Sequence, residues 1–393
     1  MRYSATIARL ENEGSRAWDI HARAQEERRR GRDVILLSIG DPDFPTPPGI
    51  VDALVESVSQ GDTHYGEVDG ARELRHAIAD RHARETGANV TWENVTVTPG
   101  AQGALFGAIM CLAQPGDEVV VPQPCYVTYD SVVQGSGATL VSVPLRPERA
   151  FHLDADDVAA AVTPRTRVVM INTPHNPTGA ALGQDELEGL AHLCRAHDLW
   201  LVSDEVYSRT LFDDRRHVSP LSLPGMASRC VVIDSLSKSH AMTGWRVGWT
   251  VAPVAFARHM YNLALAIHYG LPSFIQAAAI EAVRGDYPEV AEMTRRYQTR
   301  LDLMCDCLAS CGNLAVVRPQ GACFMMIDVR ATGLSSMDFS WRLLEEAGVA
   351  VLACESFGSA GAGFVRLSLT ASDEDLRSAG ARIAGFAATL PGR

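Results

Sequence analysis

From residue 34 onward, short runs of β-branched and apolar residues alternate with longer stretches whose apolar positions recur every three to four residues. Strand-like runs stand at 34–39, 95–98, 118–121, 139–143, 167–172, 200–203, 230–234 and 246–251. They are short, rich in valine and isoleucine, and most end on, or are followed by, glycine, proline, serine or aspartate. Helix-period stretches such as 102–112 and 185–197 sit between many of them. This alternation predicts an α/β fold, a mostly parallel sheet covered by helices. Unbroken apolar runs such as Val119-Val120-Val121 predict strands buried on both faces.

After about residue 287 the rhythm changes. A long charged helical stretch at 288–309 leads into strand-like 314–317 and 323–329, then a helix near 337–347 and a strand at 364–368. The mixed order predicts a smaller α+β domain, with the boundary between 280 and 290. Near the N-terminus, Arg28-Arg29-Arg30-Gly31-Arg32 closes a charged helix-like segment. Cations suit a helix C-terminus, so a solvated helix end explains this run better than a nucleic-acid patch.

The 393 residues are 47% hydrophobic and 21% charged, enough apolar material for two domains with cores of their own. A net charge of −12 leaves no basic excess to meet phosphates, which argues against a general nucleic-acid partner. It still permits a local basic pocket for one small anion. The first ten residues lack the apolar core of a signal peptide, and no run reaches the roughly 20 apolar residues that cross a bilayer. A cytoplasmic location without a membrane partner is therefore expected. The nine cysteines are odd in number and scattered. Cys305, Cys307 and Cys311 cluster in a helix-like stretch without a CxxC pair, and read as thiols rather than as a metal site.

Four segments carry candidate chemistry. Ser235-Leu236-Ser237-Lys238 follows an apolar strand, where α/β ligands bind, and Arg246 lies eight residues on. A lysine desolvated there loses proton affinity and becomes a nucleophile. Hydroxyls, an ammonium and a guanidinium at this spacing can surround a phosphate ester, although a solvated loop with a surface lysine has the same letters. Thr98-Pro99-Gly100-Ala101-Gln102-Gly103 joins a strand to a helix, so its N–H groups can meet an anion; a plain tight turn is the alternative. Asp204, at the end of another apolar strand, needs a cationic partner to ionise when buried, unless it is an N-cap or a structural ion pair. Asn172-Thr173-Pro174-His175-Asn176-Pro177-Thr178-Gly179 also ends a strand; two prolines set its backbone, and the Asn176 amide can point at a ligand or simply hold a turn.

Taken in order, Asn176-Pro177-Thr178-Gly179, Ser203-Asp204-Glu205-Val206-Tyr207, Ser235-Leu236-Ser237-Lys238 and then Arg246 resemble the class I aminotransferases of pyridoxal-phosphate (PLP) fold type I. The resemblance runs from Ser38-Ile39-Gly40-Asp41-Pro42-Asp43-Phe44 to Phe364-Val365-Arg366-Leu367-Ser368. It implies a large domain over 46–285, with a mostly parallel seven-stranded-type sheet between helices, and a small α+β domain made of 1–45 and 286–393. It implies pyridoxal 5′-phosphate as cofactor, held by Lys238 as a Schiff base. Asp204 would pair with the ring nitrogen, Tyr207 and Asn176 with the ring oxygen, and Tyr126 would stack on the ring. Ala101 and Gln102 N–H groups, Ser235, Ser237 and Arg246 would hold the phosphate. Tyr65 would reach it from a second subunit, making a homodimer with shared sites. Arg366 and the Gly40 backbone would receive the α-carboxylate of an amino acid, which exchanges its amino group with a 2-oxo acid.

A narrower resemblance concerns the substrate. Met1-Arg2-Tyr3-Ser4, Trp18-Asp19-Ile20-His21, Thr63-His64-Tyr65, His197-Asp198-Leu199-Trp200 and the stretch 235–249 look like bacterial arginine:pyruvate transaminases. This implies a guanidino amino acid as donor and pyruvate as acceptor. A guanidinium taken out of water needs a carboxylate or several acceptors. Asp19 and Glu67 are the candidates for that role. An aspartate or aromatic aminotransferase, or a PLP-dependent lyase or oxidase, is the alternative that shares Lys238 and Asp204.

Overall fold

The computed structural model describes residues 3–10 and 13–391; Met1 and Arg2 lie outside the described residues. The strands in chain order are β1 (Ile35–Leu36), β2 (Val95–Pro99), β3 (Glu118–Gln123), β4 (Thr139–Pro144), β5 (Thr166–Asn172), β6 (Trp200–Asp204), β7 (Cys230–Ser235), β8 (Val247–Val251), β9 (Ala315–Val317), β10 (Phe324–Asp328), β11 (Val349–Ala350), β12 (Leu352–Ala353) and β13 (Phe364–Ser368). Seven of them form one sheet in the order β2-β8-β7-β6-β5-β3-β4. Neighbours from β7 to β4 run parallel, and β8 is antiparallel to both β7 and β2. The sheet is mostly parallel, as the alternation predicts.

Its central strands are apolar on both sides because both faces are covered. Val119, Val120 and Val121 are buried, with Val120 in a core on one face and its neighbours in a core on the other. Helix Gly100–Leu112 seals the second face with Ala104, Leu105, Ala108 and Ile109. Helix Gln184–Ala196 covers the first with Leu187, Leu190 and Ala191. A separate antiparallel sheet, β12-β13-β10-β9, packs under helices Pro288–Leu308 and Asp373–Ala388 around Leu301, Leu367 and Ile383.

Two expected strands differ in a way that matters for the site. The run at 34–39 pairs only at Ile35–Leu36, with β11. Beyond that point its carbonyls leave the ladder and accept from side and main chains: Leu37 O from Ser368 N–H at 2.8 Å, Ser38 O from Arg366 at 2.8 Å, Gly40 O from Lys238 at 2.6 Å. The run at 246–251 loses its first residue. Arg246 has φ 55° and closes the short turn Thr243–Trp245, donating to Thr243 O at 2.6 Å instead of opening the strand.

Candidate active site

Asn172, Asp204 and Ser235 are the last residues of β5, β6 and β7, so the parallel strands deliver all three to one edge of the sheet. A cavity of about 410 Å³ opens there, at the carboxyl ends where open α/β sheets bind ligands. Segment 39–41, helix Gly100–Leu112 and Arg366 of β13 complete its wall.

Asp204 is only 4% exposed and makes no ion pair among the described residues. Tyr129 donates to its Oδ2 at 2.6 Å and the Val206 N–H to its Oδ1 at 3.3 Å. Burial pushes its carboxyl up to about 6, against the pull of those hydrogen bonds. The site therefore holds a carboxylate that a cationic ligand group would stabilise. Asn172 fixes its backbone: the amide Nδ2 donates to Asp204 O at 2.9 Å, while Oδ1 accepts the Asn176 N–H at 2.7 Å. One side chain thus positions both Asp204 and the Asn176 turn.

Across the cavity lies an anion cradle. Gly100, Ala101 and Gln102 are the first residues of their helix, whose N–H groups have no intrahelical acceptor. Gly248 of β8 lets the strand approach this turn: a Cβ there would lie 2.5 Å from the Ala101 nitrogen. A Cβ on Gly100, at φ +72°, would lie 2.5 Å from Arg246 Nη2. The two glycines make room for a guanidinium beside the free amides of this turn, and Ser235 lines the same cavity. Ser235 also caps the short helix Leu236–Ser239 by accepting the Ser237 N–H at 3.3 Å, which sets Lys238 one residue further on.

Lys238 donates to Gly40 O at 2.6 Å, and burial lowers its proton affinity. Gly40 is held against Phe324 so closely that a Cβ would meet the ring at 2.2 Å. Arg366 stacks on the same ring, 4.1 Å from its centroid, and on Phe357 at 4.9 Å. It is 3% exposed and donates to Asn176 Oδ1 at 3.0 Å and Ser38 O at 2.8 Å, while its Nε–H has no partner among the described residues. A buried guanidinium with an unused donor and no carboxylate is prepared for an anionic ligand. Tyr207 is buried edge-on to Phe324, and Tyr126 edge-on to Tyr129.

Gly40, Ala101, Gln102, Tyr126, Asn176, Asp204, Tyr207, Ser235, Ser237, Lys238, Arg246 and Arg366 thus line one cavity. Tyr65 does not: it is 88% exposed, edge-on to Tyr269 at 5.1 Å. Neither carboxylate considered for a guanidinium lines the cavity. Asp19 is exposed, one residue past Trp18, which does line it. Glu67 accepts the Arg72 N–H at the start of helix Arg72–Thr86. Tyr129, Asn172, Trp18 and Asp41 also reach the cavity and were not singled out from the sequence. Asn172, Asp41 and Trp18 stand inside the quoted motifs, whereas nothing local marks Tyr129.

A mixed seven-stranded sheet with Lys238, Asp204 and Arg246 at one edge, faced by Arg366 of the second sheet, is the frame of an α/β enzyme of the aminotransferase fold. Residues 32–383 match the family model for aminotransferase class I and II, and the chain belongs to that family. It is 52% identical to the arginine–pyruvate transaminase AruH of Pseudomonas aeruginosa, over 100% of both chains. It is 37% identical to the aspartate/prephenate aminotransferase of Thermus thermophilus, over 98% of this chain and 96% of that one. Among solved structures, the aspartate aminotransferase from Rhizobium meliloti matches with a TM-score of 0.95 at 32% identity, over 100% of both chains. The aspartate aminotransferase from Thermus thermophilus with maleate matches at 0.93 and 35%, over 98% and 100%.

Proposed function

We propose that the chain is a pyridoxal 5′-phosphate-dependent enzyme that moves the α-amino group of L-arginine, or of a related guanidino amino acid, to pyruvate. The observation that carries the substrate is the 52% identity over the full length to an arginine–pyruvate transaminase, against 37% to an aspartate/prephenate enzyme. The cavity's own chemistry supports the cofactor. A buried carboxylate without an ion pair suits a protonated pyridine nitrogen, and the Gly100–Gly248 cradle beside Arg246 suits a phosphate ester. Pyridoxal phosphate, when bound, supplies an electron sink for charge developing at the substrate α-carbon.

In this reading Lys238 is the covalent anchor. Freed by a donor amine, its Nζ would act as the general base for the α-proton and as the general acid that gives it back. Asp204 keeps the ring nitrogen protonated, and Tyr129 and Asn172 hold Asp204. Tyr207 and Asn176 bond the ring oxygen, and Tyr126 offers a flat face to the ring. The Ala101 and Gln102 N–H groups, Ser235, Ser237 and Arg246 hold the phosphate. Tyr65 of a second copy reaches it too, so the active form is a homodimer. Arg366 and the Gly40 backbone orient the α-carboxylate. Residues 46–285 act as the large domain, and 1–45 with 286–393 as the small one. The enzyme works in the cytoplasm, where its nine free thiols stay reduced.

A donor screen tests the substrate. With pyruvate as acceptor, alanine should form faster from arginine than from aspartate or phenylalanine. Faster formation from aspartate or phenylalanine contradicts the arginine reading and leaves the aminotransferase assignment standing.

A further inference from the structure

The strand ends that bring Asp204 and Ser235 to the cavity carry a second set of charges. Glu205 follows Asp204 and Asp234 precedes Ser235, and these two neighbours line a separate cavity of about 350 Å³. Most of the charges around it pair among themselves. Arg81, on helix Arg72–Thr86, reaches Asp234 at 3.1 Å and Glu85 at 3.2 Å, and Arg209 reaches Glu85 at 2.9 Å. His82 is buried and neutral: its Nε2 accepts from Trp249 Nε1 at 3.0 Å, and burial, with Arg81 beside it, pushes its imidazole down to about 4. Arg215 and Arg216 stand on the outer wall, exposed to water that screens them.

Glu205 has no arginine. It is 3% exposed, and its Oε1 accepts from Ser203 Oγ at 3.0 Å and from Ser219 Oγ at 2.8 Å. Its Oε2 lies 2.8 Å from His217 Nε2. Among the described residues, His217 is the only cation that pairs with it. Glu85, Asp234 and Glu205 thus share Arg81 and Arg209, and the cluster is balanced only when His217 carries a proton. Burial works against that proton, but Glu205, Asp234 and Glu85 outweigh it and raise the proton affinity of His217. The state of His217 bears on the other cavity because Glu205 and Asp204 are adjacent. A charge on Glu205 left without a partner disfavours a second carboxylate beside it. After burial, Glu205 is among the groups that push the Asp204 carboxyl up.

We propose that His217, acting through Glu205, is a positioning residue for the cofactor: as an imidazolium it neutralises Glu205, so that Asp204 stays a carboxylate for the ring nitrogen. This rests on the pyridoxal-phosphate reading above. The same contacts could serve only to hold segment 217–219 against β6, and removing the charges one at a time separates the two roles. Stripped protein is titrated with pyridoxal phosphate, and the affinity is read from the visible band, for the wild type, His217→Gln and the double variant His217→Gln/Glu205→Gln. His217→Gln strands the charge on Glu205 and should weaken binding about tenfold, the order by which a nearby like charge shifts a carboxyl's ionisation. Adding Glu205→Gln removes the stranded charge and should recover most of that loss, whereas a contact that only held the segment would be damaged further. A second readout needs no cofactor. The NMR titration of the His217 imidazole in stripped protein should have its midpoint above the ordinary value of about 6.5, and Glu205→Gln should lower it. If His217→Gln binds the cofactor as tightly as the wild type, or the double variant binds no better than the single one, the proposal falls while the cofactor reading stands. If the wild type takes up no cofactor, both fall. Should His217→Gln fail to fold, the wild-type titration decides, and a midpoint below about 6.5 overturns the proposal.

Discussion

At the scale of single residues, the cavity works by withholding partners. Among the described residues, Asp204 has hydrogen bonds but no counter-ion, and Arg366 has two acceptors but no carboxylate. Each is costly alone and stabilised by a ligand of opposite charge. Asp204→Asn keeps the shape and removes the charge, so kcat/KM should drop by about two orders of magnitude, as when one aimed electrostatic partner is lost. Tyr129→Phe should lower it less, because the carboxylate stays. Steady-state kinetics of both variants checks the order. Lys238 gives a pH prediction. Its folded proton affinity is lowered, chiefly by burial, so more of it is the neutral nucleophile at a given pH than for an ordinary lysine. The rate of cofactor uptake by stripped protein should rise with pH and level off below the usual lysine value of about 10.4. A rate still climbing beyond that value contradicts the assignment. Asp204 and Lys238 were legible as candidates because each follows an apolar strand. Tyr129 was not, because it meets Asp204 across 75 residues of chain from a helix that carries no motif.

At the scale of elements, the strands and helices that the hydrophobic pattern does mark mostly stand within one or two residues of it, since the sheet is buried on both faces and its strands are cut off by turn residues. Short strands such as β11 and β12 have no expected counterpart, and two further departures serve the cavity. Segment 34–39 has the letters of a strand, yet Ser38 and Gly40 give their carbonyls to Arg366 and Lys238. Arg246 reads as the start of a strand and instead sits at φ 55°. Local pattern has no means of reporting the first, because the competing partners lie 198 and 328 residues away in the chain; Arg246 instead closes a local turn and donates to Thr243 O three residues back. The join between β8 and helix Gly100–Leu112 yields a further prediction. Gly248→Ala puts a methyl group 2.5 Å from the Ala101 nitrogen and the Gly100 carbonyl carbon, which are backbone and cannot swing aside. It should cost about 1–3 kcal/mol of stability, the usual range for overpacking. Because the displaced atoms form the anion cradle, the variant should also lose cofactor faster on dialysis. Thermal unfolding and the retained visible absorbance measure the two effects.

At the scale of the whole molecule, the two sheets meet around the cavity, and the segment 37–41 docks on β13 while reaching across to Lys238. Arg300 reinforces that bridge by gripping Asp43 and Asp373 at once. Tyr65, Ile267 and Tyr269 leave an exposed apolar surface away from the cavity, at 88%, 58% and 51% exposure. Covering them with a second copy is what the homodimer proposal requires. Sedimentation should give a dimer, and Tyr65→Phe should weaken cofactor retention without dissociating it. A monomer that retains cofactor as well as the wild type contradicts the shared site. Substrate choice was the least legible property of the sequence. The motifs quoted for the amino-acid core say nothing of the side-chain end, and neither carboxylate considered for it, Asp19 or Glu67, lines the cavity.

The central claim is that Lys238 carries pyridoxal phosphate in a site that takes an amino group from arginine and passes it to pyruvate. Absorbance of the purified protein tests it most directly. The account predicts a visible band that bleaches on adding arginine, returns on adding pyruvate, and is missing from Lys238→Ala. A wild-type protein without the band after incubation with the cofactor, or a band that survives Lys238→Ala, would contradict it.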